Sequence, residues 1–212
     1  MRKTPALLSA VAVAAVLAAS LVGCSSSGAS GCAPTYASGS ASKAVTATAS
    51  TASFPTPLVA KAAQVSVSKA GKGSPIQTGD QVDYTFTIYS GKTGEKIGAA
   101  TAPQRTGAGT APKSTAIDKA LVCAAEGERF SLVATVKQAF GKGAGGTQFS
   151  DGMTLVVVVD VKDRFLGKAN GINQLPQDGM PNVITAVNGQ PGIVIQELDK
   201  PKTLRVATIK AG

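Results

Sequence analysis

The chain contains no histidine and no tryptophan, and aromatic residues make up only 4% of its 212 residues. The absence of histidine removes the most common general base and the most common metal ligand of proteins. Three cysteines are too few for a zinc site built from cysteine alone. Few rings are available to stack on bases, and the basic residues form no stripe, so nucleic acid is a poor partner despite a net charge of +9. We therefore expect neither a metal nor another cofactor.

An apolar stretch from Ala6 to Val22 follows Arg2 and Lys3 at the N-terminus. This layout is typical of a secretory signal, and the stretch is short for a membrane-spanning helix, which needs about 20 residues. It runs into Leu-Val-Gly-Cys24, which resembles the bacterial lipobox. The resemblance implies a lipoprotein signal peptide over residues 1–23 and lipid attachment at Cys24, with the protein anchored to the outer face of the bacterial cell membrane. An ordinary signal peptide with an incidental cysteine is the alternative.

Residues 24–54 consist mainly of Ser, Ala, Gly and Thr with hardly a charge, which predicts a flexible tether. Weak alternation at 44–48 suggests a short edge strand within it. Cys32 and Cys123 are the cysteines that remain after lipidation. In an oxidising compartment such a pair is expected to form one disulfide, and two free thiols are the alternative.

Hydrophobic alternation and one apolar run predict four strands in the following 105 residues or so. They lie at Gln64–Ser68, Gln81–Ile88, Glu128–Val136 and Thr154–Asp160. The last strand contains five consecutive apolar residues and should be buried on both faces. A helix is predicted over Ser114–Cys123, capped by Thr115 and Asp118, whereas residues 99–112 are predicted to have little order. The pattern indicates an α+β domain of four or five strands and one short helix.

Four local strings in this region carry a family resemblance. They are GDQVDYTFTIYSGKTGEKI at 79–97, AIDKALVCAAEGERFSLV at 116–133, AFGKGAGG at 139–146 and GMTLVVVVDV at 152–161. In this order they resemble FKBP-type peptidyl-prolyl cis-trans isomerases, and with the lipobox they are most similar to the actinobacterial lipoproteins of that family. The resemblance implies an FKBP-like antiparallel half-barrel of four to five strands wrapped around one short helix, over residues 55–166.

The resemblance also implies a proline-binding pocket, which would take proline-containing polypeptide segments and macrolide ligands. Its positions fall at Phe86, Ile97, Ile117, Phe140 and Val157. All five are apolar, but the family's two tyrosine hydroxyls, its carboxylate and its aromatic floor are missing at these positions. The pocket is therefore predicted to be degenerate, with a weak or inactive site. The alternative is that these side chains are only core residues.

Beyond Leu166 the chain resembles the connector and the first strand of a second domain of the same kind. The connector would span 167–199 and the truncated second domain 200–212, with catalysis expected mainly in that second domain. A self-contained domain with a C-terminal tail is the alternative. Three functions are compatible with these features: an extracytoplasmic prolyl isomerase for secreted or envelope proteins, a non-catalytic module that binds proline-containing segments, and a structural envelope lipoprotein.

Overall fold

The structure, a computed structural model, describes residues 32–49, 51–109, 115–195, 197 and 202–211. The predicted signal peptide and Cys24 lie outside the described residues. Within the described ranges, no helix is both long and apolar enough to cross a membrane.

The secondary structure is dominated by strands. The first half contains α1 (Ser40–Lys43), β1 (Thr46–Ala47), β2 (Ala52–Ser53), β3 (Gln64–Lys69), β4 (Gln81–Ser90) and β5 (Lys96–Gly107). The central part contains α2 (Ala116–Leu121), β6 (Arg129–Thr135), α3 (Val136–Phe140) and β7 (Thr154–Phe165). The C-terminal part contains β8 (Ile172–Asn173), β9 (Asn182–Thr185), β10 (Pro191–Val194) and β11 (Lys210–Ala211).

Five strands form one antiparallel sheet in the order β3-β6-β7-β4-β5. Helix α2 packs its buried residues, such as Ile117 and Leu121, into the same hydrophobic cluster as the sheet. The predicted α+β class is therefore confirmed: a mostly antiparallel sheet of five strands with few short helices. The sheet is open and does not close into a barrel.

Strand β7 is buried on both faces, as its run of apolar residues predicted. Leu155, Val157 and Val159 point to the face that carries α2, which we call the helix face. Val156 and Val158 point to the opposite face, which we call the layer face. The layer face is covered by residues 40–49 and 51–61, which we call the N-terminal layer; the inward side chains of this layer include Ala41, Val45, Leu58 and Ala60.

Part of the predicted tether is therefore a packed element of the domain. Ser42 is completely buried, and the Gln64 side-chain carbonyl of β3 accepts hydrogen bonds from the backbone N–H groups of Ala41 (3.1 Å) and Ser42 (3.2 Å). The small side chains of this stretch allow α1 to approach the sheet closely. The strand predicted at 44–48 is reduced to β1, which pairs with β2 and does not extend the edge of the main sheet.

Two further expectations were wrong. Residues 99–107, predicted to have little order, belong to β5, which pairs with β4 along most of its length. β5 is an edge strand with mostly exposed side chains, and backbone hydrogen bonds hold it in place. Because few of its side chains are buried, its sequence shows no hydrophobic alternation. Helix α3 was also missed. Its signal is the Thr135–Gln138 pair, in which each side chain accepts a hydrogen bond from the other residue's backbone N–H.

The C-terminal region forms two small antiparallel ribbons, β9 with β10 and β8 with β11. Many of its large apolar side chains are exposed, including Leu175 and Val187. Of the strand predicted at 200–212, only Lys210–Ala211 is a strand in the described part, and it pairs with β8. A second domain in this region stays a prediction.

Candidate functional site

All five positions of the predicted pocket belong to the main hydrophobic cluster on the helix face, and we call these five residues, together with Tyr84, Phe149 and Met153, the site cluster. Ile117 of α2 and Val157 of β7 are almost completely buried and form its floor. Phe86 of β4, Ile97 of β5 and Phe140 of α3 are only half-buried, so they lie at its surface. Phe149 and Met153 join the same cluster, are also half-buried, and were not predicted from the sequence. Five separate elements thus contribute to the same hydrophobic cluster, and the half-buried members lie at its edge.

The floor residue Ile117 is fixed by the cap of its helix. The Thr115 hydroxyl accepts a hydrogen bond from the backbone N–H of Asp118 (3.3 Å), and the Asp118 carboxylate accepts one from the backbone N–H of Thr115 (2.9 Å). The Thr106 hydroxyl of β5 also donates to Asp118 (2.9 Å). The capping pair predicted from the sequence is therefore present. It additionally ties the start of α2 to the edge strand that carries Ile97.

Phe140 is the last residue of α3, and the chain turns away directly after it. Gly141 adopts a φ angle of 101°, which side chains rarely allow, so the helix ends there. The following glycine-rich loop is closed by a hydrogen bond from the backbone N–H of Gly143 to the Asp151 carboxylate (2.8 Å). The glycines thus allow Phe140 to end a short helix at the surface of the site cluster.

Three aromatic rings stand next to one another in the site cluster. The ring centroids of Phe86 and Phe140 are 6.2 Å apart, and those of Tyr84 and Phe86 are 6.0 Å apart. Burial, together with repulsion from the Asp118 carboxylate, raises the pKa of Tyr84 to about 12. Its phenol is therefore protonated at physiological pH and remains a hydrogen-bond donor.

Sequence reasoning treated Tyr84 as an ordinary core residue. The signal that could have identified it is its position two residues before Phe86 on the same face of β4. By the resemblance, Phe86 stands where the family has a tyrosine. A tyrosine is nevertheless present in the same cluster, at Tyr84, two positions earlier in β4.

The chemistry available at the five predicted positions is apolar contact, and the neighbouring Tyr84 is a buried, protonated phenol. Among the described residues no group of three or more His, Cys, Asp or Glu side chains could hold a metal ion. A separate polar cleft of about 330 Å³ shares no residue with the site cluster; it is lined by Lys72, Ser74, Glu126, Arg164, Leu166 and Asn170. The site cluster is thus suited to removing water from an apolar or amide-containing ligand.

Cys123 lies two residues after the end of α2 and faces Cys32 from the N-terminal segment. The two sulfur atoms are bonded and the Cα atoms are 5.6 Å apart, within the range that a disulfide requires. Cys123 has a φ angle of 75°, and its backbone N–H donates to the Ile76 carbonyl (2.9 Å). The geometry brings the two predicted partners together, while their oxidation in the cell stays a prediction.

No protein-family model matches the chain, and no curated protein matches it in sequence. Some solved structures resemble it. One is a peptidyl-prolyl cis-trans isomerase from Pseudomonas syringae pv. tomato str. DC3000, with 17% identity, a TM-score of 0.41, and coverage of 49% of this chain and 75% of that chain. Another is the N-terminal domain of FKBP42 from Arabidopsis thaliana, with 14% identity, a TM-score of 0.43, and coverage of 50% of this chain and 87% of that chain. Both are likenesses at low sequence identity, and neither identifies the function of this chain.

Proposed function

We propose that this chain is an extracytoplasmic protein of the FKBP type that binds proline-containing polypeptide segments at the site cluster and has weak prolyl isomerase activity. The observation that carries the proposal is the convergence of Phe86, Ile97, Ile117, Phe140 and Val157. These residues were chosen from sequence resemblance alone and come from five different elements. Phe86, Ile97 and Phe140 are half-buried at the edge of the hydrophobic cluster, so their side chains are accessible to a ligand.

Cis–trans isomerisation of a prolyl amide bond requires no specific reactive side chain. The barrier to cis–trans exchange comes from the partial double bond of the amide, about 18–20 kcal/mol. The planar amide has the larger charge separation, so removing water from it destabilises the planar form relative to the twisted transition state. The site cluster supplies these apolar surroundings. No general base, nucleophile or metal is needed.

The proposal is tested by exchange spectroscopy on a short peptide with an apolar residue before proline, with and without the full chain. We expect a measurable increase in the exchange rate that is lost in Phe86→Ala/Phe140→Ala. The matched control is Phe165→Ala, because Phe165 is an exposed ring that packs under Arg105 outside the site cluster. A rate increase that survives in the double variant would remove the site cluster from the mechanism.

A non-catalytic binding module is the second candidate, and one observation favours it. Among the predicted pocket positions there is no polar side chain, and the floor is the aliphatic Ile117. Such a surface can bind an apolar segment without holding the amide in a twisted geometry. Binding of the same peptide by titration, lost in Phe86→Ala/Phe140→Ala but accompanied by no rate increase, would support this function over catalysis.

The proposal includes a lipid anchor at Cys24 on the outer face of the cell membrane. It rests on the lipobox and on the apolar segment before it. Cys24→Ser should release the protein from the membrane fraction or block its processing. Unchanged detergent-dependent fractionation of that variant would exclude Cys24 as the anchor. The connector at 167–199 and the first strand of a second domain at 200–212 belong to the same proposal.

A further inference from the structure

The sequence before Asp80 contains no acidic residue. All twelve acidic residues of the chain lie at or after position 80, whereas six of the 21 basic residues precede it. The N-terminal layer falls entirely within this acid-free part. Its lysines, Lys43 and Lys61, are both exposed. The outward surface of the layer is therefore positively charged, with no carboxylate of its own to neutralise it.

The same surface displays apolar groups. Leu58 and Ala60 point inward and are buried, so the residues between and after them point outward. Val59 is 71% exposed and stands two residues before Lys61. Pro55 and Pro57 are exposed in the same segment. Exposed apolar side chains next to lysines suit the boundary between water and a lipid bilayer.

This surface is held in place by the rest of the domain. The backbone N–H of Leu58 donates to the Gly91 carbonyl of the β4–β5 turn (2.7 Å), which brings the exposed Lys92 beside the layer. At the other end, Gln64 of β3 fixes α1. The basic and apolar groups therefore form part of an ordered face and not of a free tether.

We propose that the outward surface of the N-terminal layer lies against an anionic phospholipid bilayer. The inference rests on the membrane location that is part of the proposed function. Cys24 and Cys32 are eight positions apart, a chain length of at most about 28 Å, so an anchor at Cys24 keeps the domain close to the membrane, and the exposed lysines of the layer select the face that meets it. Lysines near an anionic bilayer are attracted to its surface, so they orient a domain that the anchor already holds there. The site cluster, on the opposite face of the sheet, then faces away from the bilayer and towards its polypeptide ligands.

The test uses the chain from residue 24 with Cys24→Ser, so that binding through acyl chains is absent. Sedimentation with vesicles of phosphatidylcholine containing 30% phosphatidylglycerol should show binding that is lost in pure phosphatidylcholine and in 0.5 M salt. Each lysine close to an anionic surface contributes about fivefold to binding. We therefore expect K43E/K61E to reduce the partition coefficient by about tenfold or more.

The matched control is K119E/K137E, which makes the same charge change at exposed positions of α2 and α3, on the helix face. It should bind within about twofold of the parent chain. Circular dichroism melts of both variants confirm that they are folded. Equal binding to neutral and anionic vesicles, or an equal loss in both variants, would overturn the proposal. Vesicle binding is measured on an unacylated chain and without a peptide substrate. Its result is therefore independent of lipidation at Cys24 and of isomerase activity.

Discussion

The two faces of the five-stranded sheet are covered in different ways. The helix face contains the larger side chains, such as Phe130 and Leu132, and its cover by α2 leaves Phe86, Ile97 and Phe140 half-buried. The layer face contains mainly valines and is closed by the small residues of the N-terminal layer. Strand β7 supplies both faces from one run of apolar residues. The layer face is thus closed more completely than the helix face, where half-buried apolar side chains remain at the edge of the core.

The largest effect is expected from removing the cover of the layer face. A chain that begins at Pro55 lacks α1 and the β1–β2 hairpin, and so exposes apolar surface such as Val133. Each side chain of this size contributes about 1.5–3 kcal/mol when fully buried, and a domain has only about 5–15 kcal/mol in total. We expect this chain not to unfold cooperatively in urea. The control is a chain that begins at residue 32 with Cys32→Ser/Cys123→Ser, which lacks the disulfide but keeps the layer. Equal stability of the two chains would show that the layer is dispensable.

The sequence predicts that both faces of β7 are covered, but it does not identify the N-terminal layer as the cover of the layer face. Five consecutive apolar residues in Leu155–Val159 can only be buried if both faces of the strand are covered. Residues 40–54 have no hydrophobic periodicity, because Ala41, Ser42 and Val45 are small and pack by close approach of the backbone. Their hydrogen bonds come from Gln64, a partner more than twenty positions away in the chain. Composition alone therefore indicated a tether.

The residues of the site cluster were likewise predicted only in part from the sequence. The five pocket positions came from resemblance and lie in the main hydrophobic cluster, and their role as a pocket stays a prediction. Ile117 was also fixed by a local signal, the Thr115–Asp118 cap. Tyr84, Phe149 and Met153 were missed because their membership depends on how separate elements pack. No pattern within a single strand or loop distinguishes a residue that lines a site from one that fills a core.

The next largest effect compares two residues of β6 that point to opposite faces. Phe130 and Val133 are both completely buried, on the helix face and the layer face respectively. Phe130→Ala should lower the free energy of unfolding by about 3–5 kcal/mol, and Val133→Ala by about 1–3 kcal/mol. Urea denaturation at one temperature measures both. If Val133→Ala were the more damaging change, the layer face would be the main core of the domain.

The disulfide joins the two covers, since it links the start of the N-terminal segment to the end of α2. A bond that closes a sequence separation of 91 residues should stabilise the folded state by about 2–4 kcal/mol. We expect Cys32→Ser/Cys123→Ser to lose this amount in thermal or urea unfolding. Mass spectrometry after alkylation, with and without reductant, should detect no free thiol at these positions in the unreduced protein. Complete alkylation without reductant would mean that the covers are held by packing alone.

A smaller effect comes from a charged cluster at the end of the sheet, outside both faces. Burial by itself raises the pKa of Asp80, but hydrogen bonds from the Gln77 backbone, Arg164 and the Gly167 backbone outweigh it and lower the pKa below its ordinary value. The stabilisation is therefore complete above about pH 4 and is lost as the pH falls through the lowered pKa. Asp80→Asn should cost about 2 kcal/mol at pH 7 and less at pH 3. A pH-independent cost would assign the effect to packing.

The smallest effect concerns three serines where α1 packs on the layer face: Ser42 of α1, Ser66 of β3 and Ser131 of β6. The Ser66 hydroxyl donates to Ser42 (2.8 Å), and Ser42 also bonds to Gly39, so both hydroxyls are satisfied. Ser131 lies opposite Ser66 in the sheet. Its hydroxyl is buried without a hydrogen-bond partner among the residues that the structure describes. A buried polar atom of this kind costs free energy that a methyl group does not.

Ser131→Ala should therefore leave the stability unchanged or raise it by up to about 1 kcal/mol, whereas Ser42→Ala should lower it by about 1 kcal/mol. Differential scanning calorimetry resolves changes of this size as shifts of a few degrees in Tm. Removing the Ser131 hydroxyl from the layer face would then stabilise the domain, as expected where the buried side chains serve packing. A clear loss of stability in Ser131→Ala would instead indicate that its hydroxyl is satisfied in solution, and that this face keeps a polar group for a purpose other than packing.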